Sequence, residues 1–252
     1  MKVFITGYKG FIGRNVTPKL KSWVGYTGDV LDKKALIKQM AGCDAVLHLA
    51  GIFNGPDSNS IYITNLVGTA NVIQAMHENK ISKIVFTSSV GAEERFYNAY
   101  DDSKFIAEKI VQDKSLDTTI LRLSNLYGKD QKDKLITLLL EGFKKGQVKV
   151  TGDGLQTRDL VYIDDVVSAI ISSLKVRGCK KPIDIGFGKS YNILQIVNII
   201  SNVLNKKVKI KYIKFPRYVK DMRVSKVDLR LAKKVLNYHP KFDIVEGLKK
   251  TI

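Results

Sequence analysis

Tyr100 and Lys104 stand four residues apart in the run Tyr100-Asp101-Asp102-Ser103-Lys104. At that spacing on a helix both side chains lie on one face. A free phenol, with a pKa near 10, is a poor base at neutral pH. A neighbouring ammonium favours its ionised form. The pair therefore suits removal of a proton from a substrate hydroxyl, with Tyr100 as base and Lys104 as its electrostatic support. Eleven residues upstream lie Ser88 and Ser89, at the end of the apolar run Ile84-Val85-Phe86-Thr87. A hydroxyl at the carboxyl end of a buried strand sits where open α/β sheets bind ligands. Ser88 or Ser89 is placed to hydrogen-bond the reacting oxygen.

Such a group needs a partner to oxidise or reduce, and the start of the chain offers a site for one. Met1 to Ile5 reads as a buried strand, Thr6 to Gly13 as a glycine-rich turn, and Arg14 to about Lys21 as helix. Gly7 permits the tight turn, Gly10 lets backbone approach a pyrophosphate, and Gly13 lets helix and strand pack closely. Free N–H groups at the helix start then face the phosphates. Lys9, Phe11 and Ile12 complete the loop. The spacing is G-x-x-G-x-x-G, not the commoner G-x-G-x-x-G.

Beyond the loop, strands and helices alternate. Strands are expected at 24–28, 45–49, 83–87 and 118–123, and helices at 33–41, 60–78 and 100–111. This is a doubly wound parallel sheet of Rossmann type, an α/β fold. Past residue 130 the rhythm loosens. Helices are expected at 135–143, 164–174, 193–203 and 227–236, and strands at 148–150, 182–185 and 208–213, with 158–163 an extended stretch. The alternation Val208-Lys209-Ile210-Lys211-Tyr212 predicts a strand with one wet face. Residues 1–130 are read as the dinucleotide-binding domain and 131–252 as a smaller, partly interleaved substrate lobe. Only about eleven residues separate Gly13 from Val24, so the usual second strand is missing or vestigial. Its terminal acidic residue would hold the adenosine ribose about twenty residues past the glycines. Asp29 and Asp32 fall near that distance.

Composition narrows the function classes. No apolar run approaches the ~18 residues of a membrane span, and nothing resembles a signal peptide, so a cytoplasmic protein is expected. Cys43 and Cys179 have no metal-ligand spacing, and they read as free thiols with no metal site. The formal net charge is +18, and residues 201–252 hold 15 Lys plus Arg against four Asp plus Glu. The charges are interleaved with apolar positions, so an anionic nucleotide substrate is preferred over nucleic acid.

Together these segments resemble the extended short-chain dehydrogenase/reductases, in particular the NAD-dependent epimerase/dehydratase family. The resemblance rests on Gly7–Gly13, Gly28–Asp32, His48–Gly51, Asn65–Thr69, Phe86–Ser89, Tyr100–Lys104, Arg122–Gly128 and Arg158–Asp165, in family order. It implies Ser89, Tyr100 and Lys104 as catalytic residues. It implies Asp29 and Val30 near the adenine, and Leu49, Ala50 and Gly51 beside the cofactor, with His48 structural. Asn125 and Arg158 are implied to meet substrate, Arg158 at a phosphate. Arg217 and Asp221 match the late nucleotide-binding pair loosely, one residue out of register.

The implied cofactor is NAD. Lys9 and the absent second-strand acid leave room for NADP. The implied reaction is nucleoside-diphosphate-sugar epimerisation through a 4-keto intermediate. A one-way 4-keto reductase is the alternative, and a non-catalytic dinucleotide sensor is a third reading. A homodimer is compatible with all three. Val90 and Gly91 follow Ser89 where 4,6-dehydratases carry Asp-Glu, which disfavours dehydration. Glu93 and Glu94 lie near but out of register.

Overall fold

The computed structural model describes residues 1–53, 56–93, 98–214 and 227–252. Arg217, Asp221 and Glu94 lie outside the described residues. The first half runs β1 (Val3–Thr6), α1 (Phe11–Val16), β2 (Trp23–Gly25), α2 (Lys33–Met40), β3 (Ala45–His48), α3 (Ser58–Tyr62), α4 (Gly68–Glu78), β4 (Lys83–Ser89), α5 (Ala99–Val111) and β5 (Asp117–Leu123). The second runs β6 (Asn125–Tyr127), α6 (Leu135–Lys144), β7 (Gln147–Thr151), β8 (Thr157–Tyr162), α7 (Ile163–Lys175), β9 (Ile183–Ile185), β10 (Ser190–Asn192), α8 (Ile193–Leu204), β11 (Lys209–Ile213), α9 (Arg230–Leu236) and α10 (Ile244–Thr251).

Six strands form one parallel sheet in the order β2-β1-β3-β4-β5-β9. β1 and β3 are buried at every position, as expected of strands covered by helices on both faces. The order reverses at β1, which pairs β2 on one side and β3 on the other. That crevice is where open α/β sheets take their ligands, and the glycine loop opens into it. The usual dinucleotide fold has two strands beyond the first on that side. Here β2 is the edge, three residues long, so one βα unit is absent. The chain past residue 130 returns to the sheet: β9 pairs β5, and one apolar cluster joins Val3, Ile5 and Leu47 to Val166, Ile170 and Ile185.

Local chemistry sets the helix ends. Asp32 caps α2 by accepting from Ala35 N at 3.0 Å. Asn98 caps α5 by accepting from Asp101 N at 2.9 Å. α8 and α10 begin in capping boxes, Asn192 with Gln195 and Asp243 with Glu246.

Three sequence expectations change. The helix read as 60–78 begins at Ser58 and passes through a π-helical turn, Ile63–Val67, before α4. α9 begins at Arg230, three residues late, and α10 was not anticipated. β11 has no dry face: all five residues are exposed. It pairs only β7, in a two-stranded parallel sheet, and nothing among the described residues covers it. The three-residue strands β6 and β10 flank β8 in a separate sheet, and they are too short to show a period.

Candidate active site

β4 carries Thr87, Ser88 and Ser89 at its carboxyl end, and alternation along a strand sends neighbours to opposite faces. Ser89 faces the crevice. Its Oγ accepts from Gly91 N and donates to Asp101 Oδ1, both at 3.1 Å. Ser88 turns the other way. It is buried, and its Oγ donates to Glu108 Oε1 at 2.6 Å. Glu108 is fully buried and also receives Arg122 at 2.8 and 2.9 Å. The Ser88 hydroxyl is thus engaged with Glu108, while the residue also lines the cleft. Arg122 extends the same cluster to Glu93 at 3.3 Å.

The start of α5 brings Tyr100 and Lys104 to the crevice. Lys104 is 4 % exposed, and its Nζ donates to the Thr87 carbonyl at 3.0 Å. The same Nζ lies 4.8 Å from the Phe86 ring centroid and 5.8 Å from that of Tyr100. Phe53 packs edge-on against Tyr100 with centroids 4.8 Å apart.

Burial dominates the electrostatics. It pushes the Tyr100 phenol above its ordinary range, with the charge of Asp101 adding to the effect. It lowers the Lys104 ammonium to about 8, against the pull of Glu108. Desolvation of the buried phenol sets the direction of its shift, and the neighbouring Lys104 ammonium is held by the Thr87 carbonyl.

Behind the pair lies a scaffold that motif matching did not assign. Asn65, in the π-helical turn, donates from Nδ2 to Ser103 Oγ at 2.9 Å and Ile52 O at 3.1 Å. Its Oδ1 accepts from Ile52 N at 2.9 Å. Ser103 in turn donates to the Tyr100 carbonyl at 2.7 Å. His48 is structural, as expected. It is buried between Thr6 Oγ1 at 2.6 Å and Thr69 Oγ1 at 3.0 Å, and burial lowers its pKa to about 3. Thr6 also accepts from Ala50 N at 3.2 Å and Thr69 donates to Asn65 O at 2.6 Å. This hydrogen-bonded series ties the glycine-loop strand to the π turn.

The glycine loop fits a dinucleotide. Gly7 adopts φ +72°, and a Cβ there would lie 2.8 Å from Ala50 N. A Cβ on Gly13 would overlap the Tyr8 backbone. α1 starts at Gly10 with no side-chain cap, leaving its first N–H groups for an anion. The Tyr8 ring packs 5.8 Å from Trp23 at the start of β2, and Lys9 Nζ lies 5.6 Å above the Tyr8 ring. Lys9 is exposed there. Asp29 is drawn into its own turn, with Oδ1 accepting from Leu31 N at 2.9 Å. Asp32 is spent on capping α2. Val30 is buried and gives its carbonyl to Asn71 at 3.1 Å.

A cleft of about 520 Å³ runs inward from the loop. Its lining includes Ile12, Leu49, Gly51, Ser88, Ser89, Tyr100 and Lys104 from the sheet half and Asn125, Gln131, Lys134 and Arg158 from the later segments. Asn125 and Arg158 come from the paired strands β6 and β8. Among the described residues no group of His, Cys, Asp and Glu is arranged to hold a metal, and no helix is long and apolar enough to cross a membrane.

Sheet order, glycine loop and cleft define a Rossmann-type short-chain dehydrogenase/reductase. Residues 3–193 match the NAD dependent epimerase/dehydratase family, and the chain belongs to that family of enzymes. It is 31% identical over 94% of its length to UDP-glucuronate 4-epimerase of Thermodesulfobacterium geofontis, covering 81% of that protein. It is 28% identical to a UDP-glucose 4-epimerase, described as putative, of Methanocaldococcus jannaschii, over 99% of this chain and 97% of that one. In fold it matches MoeE5 in complex with UDP-glucuronic acid and NAD, with a TM-score of 0.91, 22% identity and coverage of 100% and 97%.

Proposed function

We propose that this protein is a nucleoside-diphosphate-sugar 4-epimerase. The observation that carries the reading is the meeting of Ser89, Tyr100 and Lys104 in one cleft with the glycine loop at its end. Gly7, Gly10 and Gly13 would hold the pyrophosphate of NAD, and Leu49, Ala50 and Gly51 would border the cofactor. The chemistry supplied by bound NAD is reversible hydride acceptance at C4, with positive charge on the oxidised ring. Tyr100 takes the proton of the C4 hydroxyl, and Ser89 hydrogen-bonds the same oxygen as it becomes a carbonyl. Lys104, fixed on Thr87, keeps a cation beside the phenol. On the return step Tyr100 gives the proton back. Arg158 holds a substrate phosphate through its donor fork, Asn125 orients the sugar, and residues 131–252 serve as the substrate lobe.

The same reading extends to the cell and the assembly. The protein works in the cytoplasm, its basic surface draws an anionic nucleotide rather than nucleic acid, and Ile63, Val67 and Ile106, exposed on neighbouring helices, serve a homodimer. A 4-keto reductase using NADPH is the second reading, favoured by the absence of a free acid at the end of β2. The test is incubation with NAD and UDP-glucose or UDP-glucuronate. C4 epimers on chromatography without net absorbance change at the reduced-cofactor band support the epimerase. Net oxidation of NADPH with a 4-keto sugar supports the reductase, and neither activity overturns both.

A further inference from the structure

The relatives named above act on sugars with either a carboxylate or a hydroxymethyl group at C6, so family membership leaves that position open. In this chain the loop between β6 and α6 brings a cation to the cleft. It passes through left-handed backbone at Asp130 and Asp133, with φ 64° and 55°, which Asp tolerates better than most residues. Lys134 follows. Its Nζ rests 3.3 Å from the Phe53 ring centroid, and Phe53 is the ring against Tyr100. The ammonium thus lies one aromatic ring away from the phenol. Lys134 is half-buried, burial lowers its pKa, and Asp133 works against that effect. Among the described residues it has no ion pair, and its Nζ lies over the Phe53 face.

A second observation lies on the same loop. Gln131 is 8 % exposed, and its Nε2 donates to the Leu126 carbonyl at 2.9 Å. That bond fixes the amide, yet among the described residues its buried Oε1 has no hydrogen-bond partner. An unpartnered buried acceptor at a ligand cleft calls for a donor such as a sugar hydroxyl. The cleft is lined by the cations Lys104, Lys134 and Arg158 and by the carboxylates Asp101 and Asp133. Lys104 is held on Thr87 and Arg158 on the Thr157 carbonyl at 2.8 Å. Among the described residues, the Lys134 head group is placed on an aromatic face and has no ion pair.

We infer that Lys134 and Gln131 form a subsite for a hexuronate, with Lys134 pairing the C6 carboxylate and Gln131 accepting from a neighbouring sugar hydroxyl. C6 is joined to C5, the neighbour of the reacting C4, so a carboxylate there lies beside Tyr100 when C4 is in place. The inference rests on the nucleotide-sugar reading and names its substrate class. A charge-assisted contact in a partly dry cleft discriminates strongly against a neutral isostere.

The test is calorimetric titration of NAD-loaded protein with UDP-glucuronate, UDP-glucose and UDP. The wild type is expected to bind UDP-glucuronate at least about tenfold more tightly than UDP-glucose. Lys134→Met, which keeps an apolar stem on Phe53, is expected to lose roughly tenfold or more for UDP-glucuronate while UDP-glucose and UDP change by less than about threefold. Lys134→Arg should retain the preference. Equal weakening of all three ligands would make Lys134 a phosphate contact and overturn the inference, as would no change in any. If UDP binds the wild type but UDP-glucuronate has no advantage over UDP-glucose, the inference alone fails. If none of the three binds, the nucleotide-sugar reading fails with it.

Discussion

Ser89 Oγ donates to Asp101 Oδ1 at 3.1 Å. The carboxylate is buried, also receives Asn98 Nδ2 at 2.7 Å, and lies next to Tyr100 in sequence. A carboxylate therefore meets the Ser89 hydroxyl from the helix, although none directly follows Ser89 along the chain. Burial raises the pKa of Asp101 itself, and its charge contributes to raising that of Tyr100. Asp101→Asn keeps the shape and removes the charge, so the phenol should ionise more readily. The acidic limb of the pH profile of kcat/KM, which reports ionisation of the base, is expected to move to lower pH, with activity at pH 7 rising a few-fold. A limb that stays in place, or moves upward, would show that the Asp101 charge does not act on the base.

Tyr100→Phe deletes only the titrating oxygen. Fold and NAD affinity should be kept, and C4 oxidation should fall by about 10²–10⁴-fold. Single-turnover measurement of cofactor reduction, with binding followed in parallel, checks both halves. Turnover near wild type on a verified substrate would remove Tyr100 from the base role.

Cofactor choice should be lax. Asp29 and Asp32 are turned into local backbone bonds, and Lys9 lies exposed above Tyr8 beside β2. NAD and NADP affinities are expected within about tenfold, or ~1.4 kcal/mol. Lys9→Glu should move the preference toward NAD. Calorimetry on protein stripped of nucleotide decides. A thousandfold preference for NAD in the unaltered chain would mean that an acidic ribose ligand operates.

His48 makes stability depend on acid. The folded imidazole stays neutral down to about pH 3, against an ordinary value of 6.5. The unfolded chain therefore takes up a proton first. The stability tied to the neutral ring is complete above pH 6.5 and is lost progressively as pH falls toward 3. Between pH 7.5 and pH 5 this amounts to about 2 kcal/mol. His48→Gln has no such proton, so urea unfolding should show its deficit against wild type shrinking by that amount at pH 5. A deficit independent of pH would mean that the ring is hydrated or already charged in the fold.

The glycine loop, the Tyr100–Lys104 pair and the buried strands were legible in the chain because each is a local pattern. A turn that needs positive φ at Gly7, a helix face that repeats every three to four residues, and an apolar strand run announce themselves within a dozen residues. The direction of the Ser88 hydroxyl depends on which face of β4 meets α5, and Glu108 lies twenty residues away. The sense of the Tyr100 shift depends on how much water the cleft admits, a property of packing rather than of spacing. Asn65 reaches Ser103 across 38 residues through a π turn that leaves no periodic signature.

The β11 misreading has the same origin. Alternation reports that a strand has two unlike faces, and only the fold decides whether anything packs on either. By itself the sequence determined the fold class, the glycine-rich turn between strand and helix, and the placing of Tyr100 and Lys104 on one helix. The tertiary structure decided which serine hydroxyl bonds Glu108 and which bonds Asp101, and that Lys134 and Gln131 come from a distant loop to the same cavity. These are relations between segments brought together by burial of a shared core, and no spacing along one strand of chain encodes them.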